Sequence, residues 1–147
     1  MRRMRIIVLL CACILLCACP KQPIQRYITL VNKSGKEIVC QQLWCATITN
    51  ADTLYECRIP TQGILANSSY LYESKYGWES DLGFLPYIQY LVLDAEKFHE
   101  YRSAPCDTIQ KYVPVLYRYQ LKLEDLEQMN WTVVYPVSYT HLRAHET

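Results

Sequence analysis

The stretch Val115-Leu-Tyr-Arg-Tyr-Gln-Leu-Lys-Leu123 alternates apolar and polar side chains more regularly than any other part of the chain. Successive side chains of a strand point to opposite faces, so the larger apolar residues share one face and the polar residues share the other. The apolar face holds Val115, Tyr117, Tyr119, Leu121 and Leu123, and the polar face holds Arg118, Gln120 and Lys122. This pattern indicates an antiparallel sheet with one packed face and one solvated face.

The preceding segment Tyr87-Ile-Gln-Tyr-Leu-Val-Leu93 is almost continuously apolar and is bounded by Pro86 and Asp94. A strand that is covered on both faces has this composition, so we place it in the centre of the sheet. Asp94 is suited to cap a short helix over residues 95–101, because its carboxylate can accept a free backbone N–H. A loop with Pro105 and Cys106 is expected to follow.

The N-terminal half predicts further short strands. Residues 27–32 and 36–41 read as two strands, and the turn residues Asn32-Lys-Ser-Gly35 between them predict a hairpin. Residues 54–59 and 69–74 are also expected to be strands, with a loop at 63–68. Trp78, Leu82 and Leu85 have the spacing of one apolar helical face within residues 77–85.

A second helical turn is expected over residues 124–130, packed on the sheet through Leu123, Leu126 and Met129, and residues 131–135 would form the last strand. The elements together predict a mainly β, β-rich α+β class: a small antiparallel sheet or a β-sandwich with two short helices. Residues 27–136 are long enough for a single domain.

The N-terminus has the three parts of an export signal. Met1–Arg5 carries only positive charges, Ile6–Leu16 is apolar, and Leu16-Cys-Ala-Cys19 resembles the lipobox read by lipoprotein signal peptidase. The resemblance implies a signal peptide at 1–18, a lipidated Cys19 and a short tether at 19–26. The tetrapeptide Leu10-Cys-Ala-Cys13 reads the same way, but too few apolar residues precede it. An ordinary cleaved signal and an N-terminal membrane anchor are the alternatives.

Residues 137–147 read as a sequencing adapter translated in one frame, and we exclude them from functional interpretation. The exclusion removes His141 and His145, whose spacing would otherwise suggest a zinc site.

Of the eight cysteines, Cys40, Cys45, Cys57 and Cys106 belong to the expected mature domain beyond the lipidated residue. In an exported domain they could form two disulfides, and Cys40 or Cys45 with Cys57 would be the local pair. Free buried thiols are the alternative. The close Cys pairs of a zinc site are missing, so no metal site is expected.

The chain is similar to small lipoproteins of Bacteroides and related gut bacteria whose function is not known. The resemblance lies in Tyr117–Pro136 and Leu91–Phe98, and more loosely in the segment Asn32–Ile38. Relatives have Ser where this chain has Lys122, and Lys cannot accept the backbone N–H that a Ser cap would satisfy. The resemblance implies a location in the cell envelope and a β-rich fold. It implies no catalytic residues.

Few residues are suited to catalysis. His99 is the single histidine outside the excluded tail, and it lies on a polar helix where a solvated histidine is expected. Glu79 and Asp81 form a close acid pair that a hydrolase could use, although neighbouring loop acids are usually solvated. The glycines are scattered, which argues against a phosphate loop or bound cofactor. Basic and acidic residues are balanced, 15 against 14, which argues against nucleic acid as a partner.

The sequence therefore favours a non-enzymatic structural or interaction module, anchored to the membrane by the diacylglyceryl group on Cys19. The alternative is a glycan- or ligand-binding module that uses Tyr70, Tyr72, Tyr76 and Trp78, whose rings could stack on a sugar or on an envelope protein. Core packing is the other role open to these rings. We expect the outer membrane, and no acidic run follows Cys19, which favours the periplasmic face.

Overall fold

The computed structural model describes residues 23–44, 56–57 and 59–136. These residues form seven strands: β1 (Tyr27–Asn32), β2 (Ile38–Trp44), β3 (Thr61–Ile64), β4 (Ser69–Glu73), β5 (Ile88–Asp94), β6 (Val115–Leu121) and β7 (Thr132–Tyr135). They also form four helices: α1 (Trp78–Phe84), α2 (Ala95–Tyr101), α3 (Cys106–Tyr112) and α4 (Leu123–Gln128). Cys19, Cys45 and residues 137–147 lie outside the described residues, so the predictions for them stay predictions.

The strands form two sheets. The central sheet has the order β3-β2-β5-β6 and is antiparallel throughout. The outer sheet has the order β4-β1-β7, with β4 antiparallel and β7 parallel to β1. The predicted β-rich α+β class is confirmed.

The central sheet is buried on both faces, as β5 shows by its alternation. Ile88, Tyr90 and Val92 lie in the core between the two sheets, where Ile28 and Leu30 of β1 also pack. Leu91 and Leu93 belong to a second core on the opposite face, with Phe98 of α2 and Ile109 of α3. The continuous apolar run thus marks a strand covered on both sides, and its predicted central place is confirmed.

The helices agree in part with the sequence predictions. Asp94 caps α2, because its Oδ1 accepts a hydrogen bond from the backbone N–H of Lys97 at 2.9 Å. Leu126 of α4 is buried as predicted, whereas Met129 is 39% exposed and does not pack on the sheet. α3 replaces the expected loop after Pro105. No side-chain cap marks its start, and its local signals are limited to Asp107 in the first turn and Lys111 in the last turn.

The predicted hairpin between β1 and β2 is wrong, because the two strands belong to different sheets. The fully buried Asn32 explains the crossing between them. Its Nδ2 donates to the carbonyl of Lys36 at 2.8 Å and to those of Ile64 and Leu65 at 3.0 Å. Its Oδ1 accepts from the backbone N–H and the hydroxyl of Ser34. The side chain therefore holds the turn against the segment after β3 and directs the chain into the other sheet.

Two other local predictions fail. The described residues of 54–59 are not in a strand, and the expected loop at 63–68 begins only after β3. Gln41 of β2 is fully buried, and its amide bonds the backbone of Glu56 at 2.8 and 2.7 Å and the carbonyl of Ile59 at 2.8 Å. The segment is thus held by a side chain rather than by strand pairing.

The disulfide joins Cys57 to Cys106, and Cys40 is a free, buried thiol. The expected local pair of Cys57 with Cys40 or Cys45 is therefore wrong. Cys40 faces the core between the sheets, whereas Cys57 packs against the second core on the other side of the central sheet. Proximity in sequence did not bring them to the same face.

Candidate functional site

The four aromatic residues predicted as a binding surface do not form one. Trp78 is fully buried and stacks on Trp44, with ring centroids 5.7 Å apart. The Tyr72 ring packs against Tyr90 at 4.9 Å, and its hydroxyl is buried. Tyr72 and Tyr70 are paired with two core residues of β1, so both rings lie on the inner face of the outer sheet. Trp78 and Tyr72 thus belong to the core, as the core-packing alternative predicted, whereas Tyr70 is 37% exposed. The four rings do not form one exposed platform.

Tyr76 is the most exposed of these rings. It is 69% exposed and lines an open groove of about 360 Å³ with Pro23, Ile24, Glu79 and Ser80. We call this the leader groove, because Pro23 and Ile24 come from the segment that precedes β1. It joins the start of the described chain to α1.

The leader segment is hydrogen-bonded to the turn before α1 and to the helix itself. The carbonyl of Gln25 accepts from the backbone N–H of Trp78 at 2.9 Å, and the N–H of Gln25 donates to Glu79 Oε1 at 3.1 Å. The carbonyl of Arg26 accepts from the N–H of Ser74 at 2.8 Å. Residues 23–26 therefore pack on the domain, and residues 19–22 of the expected tether lie outside the described residues.

Gly77 is the close point between the leader and α1. Its φ of 98° lies in the region that glycine occupies without strain, and a Cβ at this position would collide with the Ile24 side chain. The hydroxyl of the buried Ser74 accepts from the N–H of Gly77 at 2.8 Å and donates to Asp81 Oδ2 at 2.6 Å. The turn is thus fixed from both sides, which sets where the leader lies.

Gly77→Ala is expected to lower the free energy of unfolding by about 2–3 kcal/mol, because it adds backbone strain and a clash with Ile24. Gly83→Ala is the matched control within α1. A Cβ at Gly83 meets no atom within 4 Å, so this variant should gain up to about 1 kcal/mol of helix propensity. Urea unfolding of both variants measures the two effects. Equal stability of the two would contradict the proposed role of Gly77.

Glu79 and Asp81 have separate partners. Glu79 accepts from the leader backbone and lines the groove, whereas Asp81 accepts from Ser74 and is not part of the groove lining. Each carboxylate thus supports a turn, which does not favour the acid pair that a hydrolase would need. His99 is exposed on α2, with its Nε2 3.4 Å from Glu37 Oε1. This is the solvated position that the sequence predicted.

A cluster of buried polar groups lies between the sheets, and the sequence did not predict it. Burial raises the pKa of the Cys40 thiol to about 12, and the neighbouring Tyr72 hydroxyl lowers it to a smaller degree. Burial, followed by the proximity of Cys40, also raises the pKa of Tyr72 and of Tyr90. The Tyr90 hydroxyl and Trp78 Nε1 are buried without hydrogen-bond partners. All of these groups are neutral at physiological pH, so the cluster offers no charged nucleophile.

Within the part of the chain that the structure describes, no group of His, Cys, Asp and Glu side chains is arranged to hold a metal ion. None of the helices described there is long and apolar enough to cross a membrane. No family model matches the chain, and no curated protein or solved structure shows significant similarity to it.

Proposed function

We propose that the chain is an envelope lipoprotein, anchored through a diacylglyceryl group on Cys19, whose β-rich domain acts as a non-enzymatic structural or interaction module. The observation that carries the proposal is the order of features in the N-terminal signal sequence. Positive charges come first, an apolar stretch of signal length follows, and Leu16-Cys-Ala-Cys19 stands at its end. We place the anchor in the outer membrane, with the domain on the periplasmic side.

The surroundings of the leader groove support this proposal. The described residues begin at Pro23, four positions after Cys19, and Gln25 is hydrogen-bonded to α1. A lipid on Cys19 would therefore hold the domain close to the membrane surface. The separate structural roles of Glu79 and Asp81 favour a binding or structural role over hydrolysis. We do not propose the glycan-binding alternative, because Trp78 and Tyr72 are part of the core.

Cys19→Ala is expected to abolish incorporation of an alkyne-labelled fatty acid, because the thiol is the acceptor of the diacylglyceryl group. Cells that produce the full chain are fed the analogue, and the protein is isolated and tested for label. Cys17→Ala is the matched control: it removes a neighbouring thiol, leaves Leu16 and Cys19 in place, and should label like the parent.

Label that persists in Cys19→Ala would refute the anchor. Protease added to intact labelled cells tests the side of the membrane: the domain should survive, and degradation before lysis would indicate surface display instead.

A further inference from the structure

Exposed apolar side chains surround the point where the leader joins the domain. Ile24 is 63% exposed and Tyr76 is 69% exposed, and both line the leader groove with Pro23. Phe84 is 87% exposed and lies one helical turn after Ser80, which also lines the groove, so it shares that side of α1. We call Pro23, Ile24, Tyr76 and Phe84 the leader rim.

The length of chain before the rim restricts where it can be. Four Cα–Cα steps separate Cys19 from Pro23, and a fully extended chain spans at most about 3.6 Å per residue, or roughly 14 Å in total. The headgroup region on each side of the hydrocarbon core is about 5–8 Å thick. A lipidated Cys19 therefore keeps Pro23 within or just above the headgroups of its own leaflet.

The start of the described chain is fixed on the domain. Both backbone groups of Gln25 are bonded to α1, and Ile24 packs over Gly77. A lipidated Cys19 therefore keeps the side of the domain that carries Pro23 within reach of the headgroups. Tyr and Phe are well suited to that position, because aromatic side chains are stable at the boundary between headgroups and acyl chains.

The charges near the rim are compatible with a phospholipid surface. The Lys75 ammonium lies 5.3 Å from the centre of the Tyr76 ring. It can pair with anionic headgroups. The acidic Glu79 is also in the groove, but its carboxylate accepts the backbone N–H of Gln25.

We propose that the leader rim rests in the headgroup region of the membrane that holds the anchor and so fixes the orientation of the domain on the bilayer. The occupant of this surface is the phospholipid bilayer itself. This inference rests on the proposed lipidation of Cys19.

Fluorescence quenching by brominated lipid tests the inference on the full, lipidated chain. The protein is reconstituted into phosphatidylethanolamine–phosphatidylglycerol vesicles, with a fraction of the lipids brominated near the top of the acyl chains. Phe84→Trp places a reporter on the rim. Tyr112→Trp is the matched control, because Tyr112 is exposed at the end of α3, on the helical side of the central sheet. The parent protein supplies the background from its own tryptophans.

The fluorescence added by Phe84→Trp should be quenched at least threefold more strongly than that added by Tyr112→Trp. Introducing Tyr76→Glu into the Phe84→Trp protein should reduce this quenching, because a carboxylate disfavours insertion beside anionic lipid. Equal quenching of the two reporters, or stronger quenching of Tyr112→Trp, would overturn the inference. If Cys19 still carries its fatty-acid label in that case, the proposed function stands without the rim. A parent chain without label would overturn both.

Discussion

Trp78→Ala is expected to lower the free energy of unfolding by about 3–5 kcal/mol, the largest effect of any substitution in α1. Trp78 is fully buried, stacks on Trp44 and contributes to the core between the sheets with Leu82 and Leu126. Truncation removes most of a large apolar surface and leaves a cavity that helices α1 and α4 cannot easily fill. Urea unfolding followed by circular dichroism measures the loss.

Two variants separate this packing effect from other causes. Trp78→Phe should lose only about 1–2 kcal/mol, because Nε1 has no hydrogen-bond partner to lose and the smaller ring fills part of the space. Phe84→Ala in the same helix should change stability by less than about 0.5 kcal/mol, because Phe84 is exposed. A loss in Trp78→Ala no greater than in Phe84→Ala would contradict the core position of Trp78.

Removing the disulfide by Cys57→Ser with Cys106→Ser is expected to lower the free energy of unfolding by about 4 kcal/mol. The two residues are 49 positions apart, so the bond removes many conformations from the unfolded chain. It also fastens the segment around Cys57 to the start of α3. The measurement compares urea midpoints of the parent and the double variant under non-reducing conditions.

A reducing agent provides the control for the disulfide. It should lower the midpoint of the parent protein to that of the double variant and leave the double variant unchanged. A parent protein that is equally stable in both conditions would show that the bond does not stabilise the domain.

The sequence predicted well those elements whose signals are local. The alternation of apolar and polar residues predicted β6, and the continuous apolar run predicted both β5 and its central position in the sheet. Asp94 gave the start of α2, because a cap acts on backbone groups only three residues away. Apolar residues that recur at a regular spacing in the sequence are enough to predict such elements.

The pairing of the elements depends on contacts between residues far apart in the sequence. A local pattern does not show these contacts. The turn residues after Asn32 correctly indicated a change of direction, but the side chain of Asn32 bonds carbonyls 32 and 33 positions away. Those bonds assign β2 to another sheet. The prediction of the disulfide pairing failed for the same reason. Cys57 and Cys40 are close in sequence, but they lie on opposite sides of the central sheet.

The segment from Tyr70 to Trp78 carried two conflicting signals, one for core packing and one for a binding surface. The spacing of Trp78 and Leu82 predicted a buried helical face, which the structure confirms. The density of rings from Tyr70 to Trp78 suggested an exposed surface, which the structure contradicts for Tyr72 and Trp78. Periodicity was the better guide because it reports which side of an element faces the core. The sequence did not predict the leader groove, because residues 23 and 24 form one wall and residues 76, 79 and 80 form the other. A local pattern does not show that two segments so far apart in the chain come together.

The buried Cys40 has a consequence for oxidative folding. Disulfide exchange requires a thiolate as the attacking species, and a thiol with a pKa of about 12 has almost none at neutral pH. Once the two sheets have closed over Cys40, it cannot attack the bond between Cys57 and Cys106. Mispairing of Cys40 is thereby confined to the time before the core forms. In an oxidising compartment, the order of events therefore matters: a chain that packs its sheets early is protected from scrambled isomers, and one that packs late must rely on an isomerase.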